Sequence, residues 1–363
     1  MNISVPFTAP VPGPHNAITD VPGVRVGHVT RIGDGFLTGT TVVLLPPSGA
    51  PAAVEVVGGG PATRDTAALD LRSGGAVAHA VVLTGGSAYG LSAAGGTLDW
   101  LAAHCRGARA LNAASDVLVP LVPAAALYDL GRGGTFTARP DAAFGRDAAQ
   151  AAADSPPFSP VEQGCVGAGT GAVSAEMKGG LGTASSVLAG GTVVGALVAV
   201  NAHGSTLDQA TGLPLALDAG ADGEFALARP SAAEHAAAQR RLAEPARGRT
   251  GLDLPNTVIG VVATDAPLDP AALRRVAAAG QRGMARAVSP AHGMTDGDTV
   301  FALSVPGSAI TAADPPAAVL AAAEAAFARA MVHAVLHAES VVTPFGHIAS
   351  YRELYPHATA GPA

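Results

Sequence analysis

Two kinds of hydrophobic pattern alternate along the chain and together predict a mixed α/β protein. Apolar, β-branched runs bounded by Gly or Pro are typical of strands, and they occur at 24–30, 41–45, 80–84, 192–201, 257–264 and 298–305. The run at 192–201 is apolar throughout, which predicts burial on both faces. Apolar residues at helical spacing predict helices at 88–104, 270–288 and 314–339. In the last two, Asp269-Pro270 and Asp314-Pro315 supply an N-cap and a first-turn proline.

One polar segment, residues 222–255, interrupts this pattern. Ser231 and Glu234 form a capping-box signature that opens a short Ala-rich, charged stretch, and Pro245 ends it. The segment has little apolar surface to bury, so we expect a solvated helix followed by a flexible, exposed loop. The hydrophobic pattern returns at Thr257, the first residue of a strand. A flexible loop that ends at a rigid strand is the arrangement expected where the chain is cut, because the strand then holds the new amino terminus in place.

Composition narrows the class of protein. Hydrophobic residues make up 48% of the chain and charged residues 13%, while aromatics make up only 4%, so a large core must be built from small aliphatic residues. The net charge is −7 and no basic run occurs, which argues against nucleic acid or an anionic membrane as a partner. Cys105 and Cys165 are read as reduced thiols. No signal peptide and no uncharged, glycine-free apolar stretch of membrane-spanning length is present, so we expect a cytoplasmic protein.

The junction between Asn256 and Thr257 suggests a specific chemistry. An amino-terminal threonine is a compact catalytic unit, because its hydroxyl attacks and its own α-amine, with an ordinary pKa near ~8, takes the proton. Before the chain is cut that amine is an amide, so the same hydroxyl must first attack the carbonyl of Asn256. An ordinary strand start is the alternative, since Asn-Thr dipeptides are common. The hypothesis therefore needs partner residues.

Two carboxylates and one lysine are candidate partners. Asp296 and Asp298 lie in a turn that enters a strand, where they can orient the hydroxyl and amine of Thr257 and stabilise the ammonium. An ordinary Asx turn is the alternative. Lys178 is the single lysine of the chain and lies in the predicted loop 175–180; it can lower the pKa of a nucleophile or hold a carboxylate. A solvated surface lysine is the alternative.

Asn201 and Tyr128 are candidate donors to an oxyanion. Asn201 ends a buried strand, where its side-chain amide is well placed for that role, and Tyr128 can donate to the same oxygen. A turn-forming asparagine and a core tyrosine are the alternatives. The histidines show no zinc-binding spacing, and the glycine-rich stretches match neither a nucleophile elbow nor a dinucleotide loop. We expect no metal and no cofactor.

Several motifs taken together resemble one family over nearly the whole chain. They are ITDVPGVRVGHVT at 18–30, GTTVVLLPP, GGSAYGL, Leu127-Tyr128-Asp129, Lys178, Asn201, PNTVIGVVATDAPL and DGDTVFAL. The chain resembles the L-aminopeptidase D-esterase/amidases, β-peptidyl aminopeptidases and 6-aminohexanoate-oligomer (nylon oligomer) hydrolases. The resemblance implies a four-layer α/β/β/α sandwich, similar to N-terminal-nucleophile hydrolases but connected differently. It also implies self-cleavage into chains 1–256 and 257–363 that form one intertwined domain, and assembly into a homotetramer.

The resemblance also assigns roles by position. Thr257 is similar to the nucleophile, Asp296 and Asp298 to its orienting carboxylates, and Lys178 to the active-site lysine of the nylon-oligomer branch. Asn201 and Tyr128 are similar to the oxyanion and substrate-positioning groups. The aminopeptidase branch has Ser as nucleophile and a Glu just before the Tyr-Asp element, whereas residues 124–127 here are AAAL. The chain therefore leans toward the nylon-oligomer branch.

The expected function is a self-processing hydrolase of linear amides, such as 6-aminohexanoate oligomers or short peptides. Three alternatives stay open. An aminopeptidase for small N-terminal or β-amino acid residues would need an acidic group in the pocket, for which Asp129 is the candidate. An acyltransferase of the ornithine acetyltransferase type would transfer the acyl group to an amine. An inactive binding protein would stay uncut.

Overall fold

The computed structural model describes residues 11–109, 117–243, 256–305 and 314–360. The strands are β1 (Arg25–Gly33), β2 (Phe36–Leu44), β3 (Ala50–Val56), β4 (Ala62–Arg64), β5 (Ala76–Ala78), β6 (Ala80–Thr84), β7 (Ala108–Arg109), β8 (Leu118–Val119), β9 (Ala124–Ala126), β10 (Val173–Ser174), β11 (Met177–Lys178), β12 (Gly180–Val187), β13 (Val193–Asn201), β14 (Thr257–Thr264), β15 (Thr299–Ser304), β16 (Val341–Thr343) and β17 (Gly346–Ile348). The helices are α1 (Ser87–Gly90), α2 (Ser92–Ala103), α3 (Ala142–Asp154), α4 (Ala232–Ala243), α5 (Pro270–Ala287), α6 (Pro316–Leu336), α7 (Tyr351–Leu354) and α8 (Pro356–Thr359).

Two mixed sheets form the centre of the molecule. The first has the strand order β1-β2-β6-β9-β4 and the second the order β12-β13-β14-β15-β3-β5. Neighbouring strands are antiparallel except for the pairs β6–β9 and β14–β15, which are parallel. The second sheet contains strands from both parts of the chain. Strands β14 and β15, which begin at or after residue 257, lie between β13 and β3, which precede it. The two predicted segments, 1–256 and 257–363, thus share one sheet.

Helices cover the outer face of each sheet. Helices α2 and α3 pack on the first sheet, and α5 and α6 pack on the second. The apolar run of strand β14 is continuous because both faces of the strand are buried. Val258 and Val262 face the helices, while Ile259, Val261 and Ala263 face the other sheet. A strand covered on both faces is apolar through its middle, and here polar side chains occur only at its two ends, Thr257 and Thr264. The predicted four-layer α/β/β/α sandwich is confirmed.

Small residues let these layers approach closely. A Cβ atom at Gly283 of α5 would lie 2.4 Å from the carbonyl oxygen of Glu324 on α6. The two helices can therefore pack almost backbone to backbone. This packing accounts for a core with few aromatic residues, in which Phe301 and Phe327 are among the largest apolar side chains that are fully buried.

The predicted elements agree with the structure apart from local differences. The helix predicted at 88–104 is two helices, α1 and α2, with Leu91 between them. The predicted cap of α6 by Asp314 is wrong, because that carboxylate accepts hydrogen bonds from the N–H groups of Gly190 (2.9 Å) and Thr192 (3.1 Å). Asp314 thus holds the loop between β12 and β13.

Residues 222–243, the first part of the predicted flexible linker, are held by side-chain contacts and include the short helix α4. The side chain of Glu224 is only 6% exposed and accepts hydrogen bonds from Arg329 Nε (2.7 Å) and His333 Nε2 (2.8 Å), both on α6. Helix α4 is also anchored, since His235 Nδ1 lies 3.0 Å from the Tyr355 hydroxyl. Residues 244–255, the remainder of the predicted linker, lie outside the described residues.

Helix α6 is the one helix in the described ranges that is long and apolar enough to cross a membrane. Its apolar segment is 72% buried inside the molecule, as in the core helix of a globular protein. One face of this helix packs inward, because its apolar side chains at helical spacing are all buried: Val319, Ala323, Phe327, Met331 and Ala334.

Candidate active site

The Asn256–Thr257 junction is buried at the start of β14, with both residues at most 5% exposed. The Thr257 hydroxyl donates a hydrogen bond to the Asn256 carbonyl oxygen at 2.6 Å. The backbone N–H of Gly297 in turn donates to Thr257 Oγ1 at 3.2 Å. The hydroxyl is therefore held beside the peptide carbonyl that precedes it.

Asp298 is fixed by three hydrogen bonds beside this junction. Its Oδ1 accepts from the N–H of Val258 at 2.8 Å, which ties the carboxylate to the residue after Thr257. Its Oδ2 accepts from His292, through Nδ1 at 2.9 Å and through the backbone N–H at 3.3 Å. The carboxylate is 3% exposed, so its position is set by protein groups.

Asp296 is less completely satisfied. Its Oδ2 accepts from the N–H of Gly293 at 2.7 Å, while its buried Oδ1 has no hydrogen-bond partner among the described residues. Burial raises the pKa of Asp296; the Gly293 N–H opposes this shift and the nearby Asp298 carboxylate adds to it. Asp296 precedes Gly297 and so lies next to the residue that contacts Thr257. Its unpaired oxygen can therefore accept a hydrogen bond from a further donor.

His292 is a site residue that the sequence did not reveal. The hydrogen bond to Asp298 raises the pKa of His292, and partial burial opposes this shift. His292 adopts a left-handed conformation with φ of 59°, which turns its ring back toward Asp298. The only sequence signal was its place six residues before Asp298.

Asn201 lies directly opposite Thr257 in the antiparallel pairing of β13 with β14. Residues paired in this way have Cβ atoms roughly 4.5–5.5 Å apart, so the amide and the hydroxyl share one location. Asn201 Oδ1 accepts from Arg132 Nη1 at 2.6 Å and from the Val173 N–H at 3.0 Å. Its Nδ2 donates to the carbonyl oxygen of Tyr128 at 3.4 Å, a long and weak bond.

Tyr128 thus contacts Asn201 through its backbone, and its half-buried side chain makes none of the hydrogen bonds found in the described residues. The neighbouring Asp129 was the candidate for binding a substrate amine, and its burial contradicts that role. Its Oδ1 accepts from the Gly86 N–H at 2.6 Å, and its Oδ2 is enclosed so tightly that a Cβ at Gly85 would lie 2.1 Å away. Burial raises the pKa of Asp129 to about 6, although the Thr38 hydroxyl and the Arg132 charge oppose it.

Lys178 was expected in a loop, with a solvated surface position as the alternative, and the structure corrects both. It lies in β11 and is fully buried. Its Nζ donates to the carbonyl oxygens of Gly169 (3.1 Å), Ala172 (2.9 Å) and Gly179 (2.8 Å). These three bonds use all the protons of an ammonium group. Burial lowers the pKa of Lys178. Its visible action is on the glycine-rich loop, residues 167–173.

Arg132 is a second buried cation near the site, and unlike Lys178 it was not predicted from the sequence. It is 5% exposed, and its Nη1 donates to the carbonyl oxygen of Gly171 as well as to Asn201. Burial lowers the pKa of Arg132 to about 10, and the Asp129 carboxylate opposes this shift. Nothing local distinguishes this arginine from the others in the sequence.

The described ranges contain no cluster of three or more His, Cys, Asp or Glu residues able to hold a metal ion. Cys105 and Cys165 are free thiols, as predicted. The groups that lie together at the strand end are one hydroxyl, one amide and two carboxylates, from Thr257, Asn201, Asp296 and Asp298.

The chain is similar to known proteins over most of its length. The pattern of peptidase family S58 matches residues 16–349. An uncharacterised aminopeptidase of Mycobacterium leprae is 47% identical and covers 90% of this chain and 92% of its own. The β-peptidyl aminopeptidase of Sphingosinicella xenopeptidilytica is 31% identical, covering 84% and 72%, and a 6-aminohexanoate-oligomer endohydrolase of Kocuria is 30% identical, covering 78% and 74%.

A solved structure shares the fold over the same length. The L-aminopeptidase D-Ala-esterase/amidase of Ochrobactrum anthropi superposes with a TM-score of 0.68 at 25% identity, covering 96% of this chain and 94% of its own. It is described as a prototype of the serine aminopeptidases and a new variant of the Ntn-hydrolase fold. The chain under study therefore belongs to peptidase family S58 and is an amide-cleaving hydrolase of the aminopeptidase and amidase type.

Proposed function

We propose that this hydrolase cuts itself between Asn256 and Thr257 and then uses Thr257 as its nucleophile. The observation that carries the proposal is the 2.6 Å hydrogen bond from the Thr257 hydroxyl to the Asn256 carbonyl oxygen. It holds the attacking oxygen next to the carbonyl carbon of the bond to be cut. Burial of both residues excludes bulk water from the first step.

Maturation in this proposal is an acyl shift followed by hydrolysis. Thr257 Oγ1 attacks the carbonyl carbon of Asn256, the C–N bond breaks, and the nitrogen of Thr257 leaves as an amine carrying the hydroxyl proton. Water then cleaves the resulting ester, which gives the carboxylate of Asn256 and restores the Thr257 hydroxyl. The net reaction consumes one water and needs no cofactor.

Turnover repeats this chemistry on a substrate amide. Thr257 Oγ1 attacks the substrate carbonyl, and the free α-amine of Thr257 takes the proton and passes it to the leaving amine. Asn201 Nδ2, opposite Thr257, donates to the oxyanion. Asp296 and Asp298 stabilise the ammonium form of the α-amine, and the unpaired Oδ1 of Asp296 provides an acceptor for it. Water releases the acyl group.

The proposed substrates are linear amides such as 6-aminohexanoate oligomers or short peptides. The threonine at position 257 and the lack of an acidic residue at 124–127 support this choice. Aminopeptidase action on small N-terminal or β-amino acid residues is a second candidate, because the relative that is 47% identical is named an aminopeptidase. Since Asp129 is enclosed, that activity would need another group to bind the free amine.

Intact-mass spectrometry tests the maturation. We expect the wild type to give fragments of 256 and 107 residues (363 − 256 = 107), and Thr257→Ala to give one uncut chain without hydrolase activity. Thr264→Ala, at the other end of the same strand, is the matched control and should still be cut. A single uncut mass for an active wild type, or activity in Thr257→Ala, would exclude Thr257 as the nucleophile.

A paired set of substrates tests the specificity. The cut protein is assayed with a 6-aminohexanoate oligomer, an alanyl p-nitroanilide and a β-alanyl amide, each with a free and with an acetylated amino terminus. Cleavage of the acetylated forms supports action on internal amides. Loss of all activity on acetylation identifies an aminopeptidase, and transfer to an added amine in place of hydrolysis identifies an acyltransferase.

A further inference from the structure

The orientation of the Asn201 side chain is set by two donors. Arg132 Nη1 and the Val173 N–H both point at one end of the amide, at 2.6 and 3.0 Å. If the amide were rotated by 180°, its NH₂ group would face two other donors and both hydrogen bonds would be lost. The oxygen therefore occupies that end, and the NH₂ group must occupy the other.

The NH₂ group of Asn201 can donate a further hydrogen bond. Its one hydrogen bond within the described residues runs to the Tyr128 carbonyl at 3.4 Å, close to the limit for such a bond. Asn201 is fully buried and faces Thr257 across the strand pair. An oxyanion that forms next to Thr257 would thus find a donor that is fixed in direction and only weakly engaged.

The burial of Arg132 is not explained by a contribution to stability. A buried guanidinium is costly, and an apolar side chain of similar volume often stabilises a fold as well as a buried ion pair does. Within the described residues, the side chain of Arg132 donates no hydrogen bond to Asp129; its Nη1 donates to the Gly171 carbonyl oxygen and to Asn201 Oδ1. Its charge thus acts on two oxygens, and the Asn201 amide is the only side chain of the two.

Lys178, the second buried cation of the site, does not share this task. The ammonium of Lys178 is bound by the carbonyl oxygens of Gly169, Ala172 and Gly179, and none of its hydrogen bonds reaches Asn201. Lys178 braces the glycine-rich loop on which Gly171 lies, while Arg132 connects that loop to the amide.

We propose that Arg132 is a positioning residue that sets the orientation of Asn201 and polarises its amide for oxyanion stabilisation. The inference rests on the proposed role of Asn201 in the hydrolysis. A hydrogen bond from a cation to the amide oxygen draws electron density from the nitrogen and makes its N–H a stronger donor. Arg132 itself does not touch the substrate.

A double-mutant cycle tests this inference. Turnover is measured for Arg132→Met, Asn201→Ala and the double variant, always per molecule cut at Thr257 as counted by intact mass. We expect Arg132→Met to lower kcat about 10- to 100-fold with little change in KM. If Arg132 acts through Asn201, the same change in the Asn201→Ala background should cost almost nothing more.

Two further variants separate positioning from general damage. Arg132→Lys can donate one hydrogen bond to Asn201 Oδ1, so it should recover part of the lost kcat. Arg329→Met removes another fully buried arginine, which pairs with Glu224 at a different place, and should lower the melting temperature without this kcat loss. If Arg132→Met does not yield folded protein, the cycle is run with Arg132→Lys and read in the same way.

The outcomes distinguish this inference from the proposed function. An unchanged kcat in Arg132→Met, or a full further loss in the Asn201→Ala background, overturns the role of Arg132 and leaves Thr257 untouched. An unchanged kcat in Asn201→Ala overturns both the oxyanion role of Asn201 and the inference. Activity in Thr257→Ala overturns the proposed nucleophile, whatever the arginine variants show.

Discussion

Thr257 lies between two groups of residues with opposite character. The acidic side consists of Asp296, Asp298 and His292, in the chain that follows α5. The cationic side consists of Asn201, Arg132 and Lys178, with the single carboxylate of Asp129 among them, and all of these precede residue 257. Amide cleavage by an amino-terminal nucleophile creates both a positive amine and a negative oxygen. In the proposed mechanism, the strand end thus separates the groups that would stabilise each charge.

The two carboxylates of the acidic side are as buried as the cationic side, with Asp296 4% and Asp298 3% exposed, but the histidine beside them reaches water. The side chain of His292 is 25% exposed, and Met294 in the same loop is 90% exposed. On the cationic side, Lys178 and Asn201 are fully buried and Arg132 is 5% exposed. We therefore expect pH to act on the acidic side through His292 and on the cationic side through Asp129, whose pKa burial raises to about 6. Loss of a hydrogen bond should be felt most as instability on the cationic side.

The largest effect is expected for Asp298→Asn. One end of the new amide carries donors and would face the Val258 N–H or the His292 ring, so the hydrogen bonds that fix this position cannot all be kept. We expect both self-cleavage and turnover to fall on the order of 100-fold or more. The rate of cutting is followed by intact mass and turnover by amine release.

Asp218→Asn is the control for that experiment, because this aspartate is 78% exposed and pairs with Arg286 on the surface. It should leave both rates unchanged. If Asp298→Asn stays within a few-fold of wild type while the control behaves as expected, the acidic side does not orient the nucleophile.

An intermediate effect is expected for Lys178→Met. The change removes the ammonium from three buried carbonyl oxygens, and those of Gly169 and Ala172 keep a backbone N–H donor while that of Gly179 loses its ammonium partner. We therefore expect the free energy of unfolding to fall by about 2 kcal/mol. Arg274→Met removes an ion pair with Glu55 in which the arginine is 47% exposed, and should cost less than about 1 kcal/mol. Denaturant titration measures both.

The same variant distinguishes bracing from direct catalysis. If Lys178→Met keeps the stability of the wild type but loses turnover, Lys178 takes part in the catalytic site, as the family resemblance implied. If stability falls and the remaining folded, cut protein still turns over, the lysine supports the cationic side through its loop.

How much of this could be predicted depends on where the information lies. Strand β14 was predicted to the residue, because its β-branched run starts at a sharp change from polar sequence. Lys178 was noticed because it is unique, yet its burial was not, since its three partners are backbone atoms. Arg132 and His292 were missed because the arginine lies 69 residues from Asn201 and the histidine depends on a left-handed turn. Such contacts form only in the folded chain.

The smallest effect is expected for His292→Asn, and it should depend on pH. The shorter amide can still donate to Asp298, but it does not titrate. Because the pKa of His292 is raised by that hydrogen bond, its charged form stabilises the fold fully below its ordinary pKa near ~6.5 and less as pH rises through the raised value. The melting temperature of the wild type should thus exceed that of the variant most at acidic pH, and the gap should narrow toward alkaline pH. Thermal unfolding across this pH range measures the gap, and His357→Asn, at an exposed position of α8, is the control. A gap that stays constant with pH would show that His292 adds no titrating charge to the acidic side.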